Sequence, residues 1–181
     1  MIRGCLIVLL LWMVIPAGAP AAPGDSSEGD VVAIEVGFIY NFTRFIRWPS
    51  SDVPPGRRAF VIAVVGAPSM VSHLSVLERG SHRVDDLPVR VEAVADPGVV
   101  PDCSILFVGA DAVGQLDHIL RQVAGRPVLV IGDTPGLARR GVAINFYLQR
   151  GRVRFEINPG ALRRAGLTAE AQLFDVARIV E

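Results

Sequence analysis

The sequence contains no lysine: all 18 of its basic residues are arginine. This removes the Walker lysine that reaches a nucleotide phosphate, the Schiff-base lysine and the lysine general base, and whole enzyme classes with them. Codon bias in a G+C-rich genome explains such an arginine excess, with a demand for guanidinium groups as the rival explanation. Metal ligands are sparse too. His73, His82 and His118 show no paired spacing, and the cysteines are limited to Cys5 and Cys103. There is no G-x-S-x-G elbow, so a Ser-His-Asp hydrolase would have to assemble without any local signature. The stretch GDTPGLARRG carries three glycines but not the G-x-G-x-x-G spacing of a dinucleotide site. Neither sign of charge dominates, with 18 acidic residues against 18 basic, so no nucleic-acid footprint and no acidic disordered tail is indicated. No catalytic residue, no cofactor and no metal site is expected.

A membrane-length apolar run is also missing. Arg3 supplies a positive start, Cys5 to Ile15 an apolar middle and Ala19-Pro20-Ala21 a small-residue cleavage site, the pattern of an export signal over residues 1–21. The apolar middle falls short of the ~18 to 20 residues that cross a bilayer. The mature chain is therefore expected to begin near Ala22 and to work, soluble, in an exported compartment. Removal of Cys5 with the signal leaves Cys103 as the single cysteine, so no internal disulfide is expected even in an oxidising compartment. Cys103 reads as a small buried hydrophobe, with an intermolecular disulfide as the alternative.

Residues 22–30 read as a flexible polar leader, and residues 31–181 as one domain, a length that fits a single core. From Val31 to Trp48 a helical stripe is expected at Val31, Ile34, Phe38, Phe42 and Phe45, with Ile39 and Ile46 alongside, ended by Trp48-Pro49. Apolar strands are expected at Phe60–Val65, Ile105–Val108 and Val128–Ile131, and an alternating one at Leu87–Val94. Between them, helices are expected from Pro68 to about Arg79 and after Asp111 as N-cap, with the stripe Val113, Leu116, Leu120 and Val123. Strand and helix in alternation predict an α/β fold: a mixed, mostly parallel sheet of about six strands flanked by helices. A C-terminal antiparallel hairpin turns at Arg150-Gly151. Its first strand puts Val142, Ile144, Phe146 and Leu148 on one side with Asn145 and Tyr147 on the other, and its second sets Val153, Phe155 and Ile157 against Arg152, Arg154 and Glu156. Asn158-Pro159 starts a short helix that Gly166 closes, and a last helix is expected from about Ala169 to Val180.

Ligands of open α/β sheets sit beyond the carboxyl ends of the parallel strands, here Gly66, Gly109 and Gly132-Asp133. Asp133, Arg139, Arg140 and Asn145 are the candidates for a small polar ligand, phosphate or carboxylate suiting arginine. The rival reading of Asp133 is a turn aspartate that fixes its own backbone. Tyr40, Asn41 and Trp48, beside the helical stripe, and Arg150, Arg152 and Arg154, on or near the polar side of the hairpin, are the candidates for a partner surface. A solvated face or a guard against edge pairing is the alternative for those arginines.

Three separate segments, GFIYNFTRFIRWP (37–49), VLVIGDTPGLARRG (128–141) and INFYLQRGRVRFEIN (144–158), together with RRAGL (163–167) and VARIV (176–180), resemble the YfiR/HmsC-like family of exported regulators. The resemblance covers essentially the whole mature chain. It implies a periplasmic protein without enzymatic activity that restrains an inner-membrane diguanylate cyclase by binding its periplasmic sensor domain, and so lowers cyclic di-GMP and biofilm formation. Several relatives carry cysteine pairs that form disulfides, where this chain has one cysteine. The leading expectation is thus a periplasmic repressor whose partner is that cyclase or a related sensor, with a second copy of the chain and a small polar ligand as further candidates. The alternative is a periplasmic small-molecule-binding module that serves a histidine kinase or other membrane receptor.

Overall fold

The computed structural model describes residues 28–49 and 58–181; the expected signal peptide, Cys5 and the leader up to residue 27 lie outside the described residues. Helix α1 (Glu28–Phe45) leads into β1 (Ile46–Arg47), and β2 (Phe60–Val65), α2 (Pro68–Arg79), β3 (Arg83–Val84) and β4 (Leu87–Val94) follow. Then come β5 (Ile105–Val108), a 3-10 turn (Ala110–Gln115), α3 (Leu116–Gln122), β6 (Leu129–Gly132) and a second 3-10 turn (Leu137–Arg140). The hairpin strands β7 (Ile144–Gln149) and β8 (Arg152–Ile157), α4 (Pro159–Arg164), β9 (Thr168–Ala169), α5 (Ala171–Asp175) and β10 (Arg178–Ile179) complete the order.

Eight of the strands form one sheet in the order β10-β8-β7-β6-β5-β2-β4-β3. The run β4, β2, β5, β6 and β7 is parallel, and β7 turns back antiparallel into β8. The six strands expected from polarity are all present. The two additions, β3 and β10, are two-residue edge strands, too short to show a period and short enough to blunt the edges against aggregation. β1 and β9 pair separately, Ile46 opposite Ala169.

The central strands β5 and β6 are buried at every position, which is why their sequences read as unbroken apolar runs. Two clusters fill the two faces. One packs α1, α2 and α4 onto Phe107, Ile131, Phe146 and Phe155, and the other packs α3 and both 3-10 turns onto Leu106, Val108 and Val130. Phe42 of α1 anchors the first cluster, with its ring 5.0 Å from Phe155 and 5.9 Å from Phe146. Burying a side chain of that size contributes about 3 kcal/mol. Cys103 is buried in the second cluster, as expected of a small hydrophobe.

At the hairpin, Arg150 and Gly151 both take positive φ, 52° and 72°, the two-residue turn whose twist matches the flanking strands. Asn158 caps α4 by accepting from the Ala161 amide at 2.8 Å.

Several expectations need correction. In α1, Ile39 and Phe42 are buried as expected, as is Ile46 just past its end, with Val31, Phe38 and Phe45 packed against the same cluster; Ile34 is exposed, and Glu35 and Val36 are buried instead. Glu35 falls on the side that Phe38, Ile39 and Phe42 share, away from Asn41, Thr43 and Arg44, and contact with the sheet buries it. Asp111 is not a cap: Gly109 holds that place and the helix begins as a 3-10 turn. The closing helix from Ala169 to Val180 is replaced by β9, the five-residue α5 and β10. Strand pairing wins there because β8 would otherwise leave backbone groups open: Arg178 aligns with Glu156, and the Val180 amide donates to the Ile157 carbonyl at 2.8 Å.

Candidate functional site

The carboxyl ends of the parallel strands, where a ligand would first be sought, are filled by the chain itself. Gly66 has φ +67°, and a Cβ there would lie 2.4 Å from the Ala112 amide nitrogen. A Cβ on Gly109 would meet the Gly66 carbonyl at 2.4 Å, and one on Gly132 would meet Leu137 Cδ1 at 2.6 Å. These glycines let the two 3-10 turns seat directly on the strand tips, so they serve packing at the place where a Rossmann-like sheet leaves a crevice.

Asp133 follows β6 at this filled end. It interacts with the carboxyl of Glu35, which α1 buries against the sheet. Burial, reinforced by Asp133, pushes the Glu35 carboxyl from 4.5 up to about 7. Burial also raises the Asp133 pKa, while hydrogen bonds from its own backbone and from Thr134 oppose the rise. Asn145 is completely buried on β7, and both polar atoms of its side chain lack a hydrogen-bond partner among the described residues.

Arg139 and Arg140 sit elsewhere. They line a groove with Asn158, Arg163 and Arg164, while Asp133 and Asn145 are not among its lining. β6 and β7 run parallel, so the segment between them must carry the chain from one end of the sheet back to the other. A span of a few residues at roughly 3.3 Å each is enough to separate the aspartate from the arginines. The structure therefore keeps the arginine pair together and divides the four expected ligand residues.

The first-helix candidates divide in the same way. Tyr40 donates from its hydroxyl to the Arg83 carbonyl at 3.4 Å and meets the His82 ring edge-on at 4.8 Å. Trp48 donates from Nε1 to the Ser104 carbonyl at 3.2 Å and packs edge-on against Phe60 at 5.2 Å. Both bind α1 and its exit to the sheet. Asn41 is exposed.

The hairpin candidates lie together at the surface. Arg150, Arg152 and Arg154 are exposed, and their side chains make no hydrogen bond or ion pair among the described residues. Arg154 stands opposite Tyr147 and Arg152 opposite Gln149. Next to them, Arg178 of β10 pairs with Glu156 and lays its guanidinium over the Tyr147 ring, 4.1 Å from the centroid. The exposed aliphatics lie across the sheet from Arg152 and Arg154: Leu148 is aligned with Val153 and Ile179 with Ile157, and with Val176 before β10 each is more than half exposed. Arginines whose side chains make no ion pair, close to a sheet edge, make a surface suited to an acidic protein partner. Among the described residues no cluster of His, Cys, Asp or Glu could hold a metal, and no helix is long and apolar enough to cross a membrane.

A family model described as YfiR/HmsC-like matches residues 33–178, a span that takes in most of α1, both 3-10 turns and the hairpin. The chain belongs to the YfiR/HmsC-like family. That family is regulatory and periplasmic. Three features of this YfiR/HmsC-like fold escaped the reading of the sequence. Glu35 was hidden within an apolar helical pattern, and the Glu156–Arg178 pair depends on a strand of two residues. Arg163-Arg164 did leave a signal, since it is a second arginine doublet beside a glycine-containing turn, like Arg139-Arg140.

Proposed function

We propose that this protein is a periplasmic regulator that binds the periplasmic sensor domain of an inner-membrane diguanylate cyclase and represses it, lowering cyclic di-GMP and biofilm formation. The family match over residues 33–178 carries the reading. The hairpin rim supports it with a surface on which a partner can dock: Arg150, Arg152 and Arg154 offer forked donors to carboxylates, and a partner that wraps the edge would also meet apolar area at Leu148, Val176 and Ile179. Tyr40 and Trp48 support this surface indirectly by holding α1 and its exit in place, and Asn41 is a secondary contact.

The test is made in cells and on purified material. Deleting the gene should raise cyclic di-GMP, and the wild-type gene should restore it. The variant R152E/R154E should be exported and melt like the wild type, because both side chains project into solvent, yet fail to restore repression. Unchanged cyclic di-GMP on deletion would refute the reading, and full repression by R152E/R154E would refute the rim. A second reading, a small-molecule-binding module serving a histidine kinase or other receptor, is supported by the arginine-lined groove at Arg139 and Arg140 and is compatible with the first.

A further inference from the structure

Four arginines from two distant segments converge on one groove: Arg139 and Arg140 from the turn before β7, and Arg163 and Arg164 from α4. The chain as a whole is neutral, so this is a local excess of positive charge. Arg140 is held by Asp117 at 3.3 Å, and Glu181 borders the groove. The side chains of Arg139, Arg163 and Arg164 make no hydrogen bond or ion pair among the described residues. Guanidinium groups gathered this closely repel one another unless an anion lies between them.

Two glycines shape the floor. A Cβ on Gly160 would stand 3.2 Å from Arg164 Nη1 and 3.8 Å from Arg163 Nη2. Gly141 has φ +103°, which disfavours a side chain, and a Cβ there would stand 3.9 Å from Arg164 Nη2. The guanidinium of Arg164 thus lies against bare backbone at Gly160, closer than a side chain there would comfortably allow. Asn158 does not compete for a ligand, since its Oδ1 caps α4 and its Nδ2 donates to the Ala138 carbonyl at 2.7 Å.

The groove shares Arg140, Gly141 and Arg164 with the lining of an adjoining cavity of about 510 Å³. Apart from those arginines its walls are mostly aliphatic: Leu120 of α3 and Val123 just past its end, Val128 and Val130, and Ala161 and Ala165 at α4. An inorganic anion would use the arginines and leave these walls idle; a neutral hydrocarbon would do the reverse. Small-ligand sites combine an apolar body of this size with a few convergent polar groups.

We propose that this joined groove and cavity bind an amphiphilic anion, a phosphate or carboxylate head held by Arg139, Arg163 and Arg164 with a short hydrocarbon body lying between α3 and α4. The proposal deepens the small-molecule reading above and rests on it, but it assigns the site and ligand class without reference to the cyclase.

The test is calorimetric titration of the full mature chain with hexyl phosphate, inorganic phosphate and the uncharged hexyl glucoside, alongside sedimentation with phosphatidylglycerol vesicles. Hexyl phosphate should bind saturably and at least about tenfold more tightly than either half-probe, since each supplies one half of the contact. R163Q/R164Q, which leaves the apolar walls intact, should weaken hexyl phosphate about tenfold or more while melting like the wild type. R152Q/R154Q should bind as the wild type does. Cosedimentation lost in R163Q/R164Q would identify a lipid headgroup as the source of the anion, and saturable binding without cosedimentation a free metabolite; both support the site. Equal binding of inorganic phosphate, undiminished binding by R163Q/R164Q, or no binding of hexyl phosphate at all would overturn it. None of these results depends on cyclic di-GMP, so a failure here is separable from a failure of the repressor reading, and an empty groove with a ligand bound elsewhere would refute this site alone.

Discussion

Replacing Glu35 with glutamine should change how the stability of this protein depends on pH, and the sign follows from where the proton sits. Glu35 is only 6% exposed on the sheet-facing side of α1. Burial, with the Asp133 carboxylate adding to it, raises its pKa from 4.5 to about 7. Below about pH 4.5 the group is neutral in both the folded and the unfolded chain, and folding loses nothing to its ionisation. Between about 4.5 and 7 the folded chain keeps a proton that the unfolded chain has released, so stability falls as the pH rises. Above the folded value the loss is complete. At about 1.4 kcal/mol per pH unit the window amounts to about 3 kcal/mol, a large part of a total stability of about 5 to 15 kcal/mol. Urea unfolding of wild type and Glu35→Gln at steps from mildly acid to mildly alkaline pH would measure it. The two proteins should be nearly equal at the acid end, and the variant should be more stable by about 3 kcal/mol at the alkaline end. Asp133→Asn should move the wild-type fall to lower pH without abolishing it, because burial is the larger cause and the neighbouring carboxylate the smaller. Parallel curves for wild type and Glu35→Gln across the whole range would refute the reasoning.

Asn158→Ala removes both the cap on the Ala161 amide and the bond to Ala138, and should cost about 2 kcal/mol in the same unfolding assay. Asn145→Leu replaces a buried amide that has no hydrogen-bond partner among the described residues and should gain about 1 kcal/mol or more; a clear loss of stability would mean that the amide is satisfied. Arg178→Ala removes the pair with Glu156 and the cover on Tyr147. It should cost about 1 kcal/mol globally, while hydrogen exchange at the Val180 amide, bonded to Ile157, should accelerate as β10 detaches.

The main strands and the hairpin were legible in the residues because their burial is local in origin. A strand covered on both faces must be apolar throughout, as Ile105–Val108 is, and a hairpin covered on one face must alternate, as Arg152–Ile157 largely does. The turn at Arg150-Gly151 and the cap at Asn158 were legible for the same reason, since a left-handed backbone or an orphan amide is answered by a residue at that very position. Among the candidate sites, the exposed arginines of the hairpin were readable from alternation alone.

What depended on distant parts of the chain was not readable in this way. The exchange of a closing helix for two short strands and the burial of Glu35 beside Asp133 arise from partners about a hundred residues apart or from an open sheet edge that no local period announces. The arginine groove is the clearest case. Arg139-Arg140 and Arg163-Arg164 are each an ordinary doublet on a turn or a short helix. They become one basic surface, with an aliphatic cavity behind it, because parallel β6 and β7 force the intervening chain back across the sheet and the antiparallel return of β8 delivers α4 to the same end.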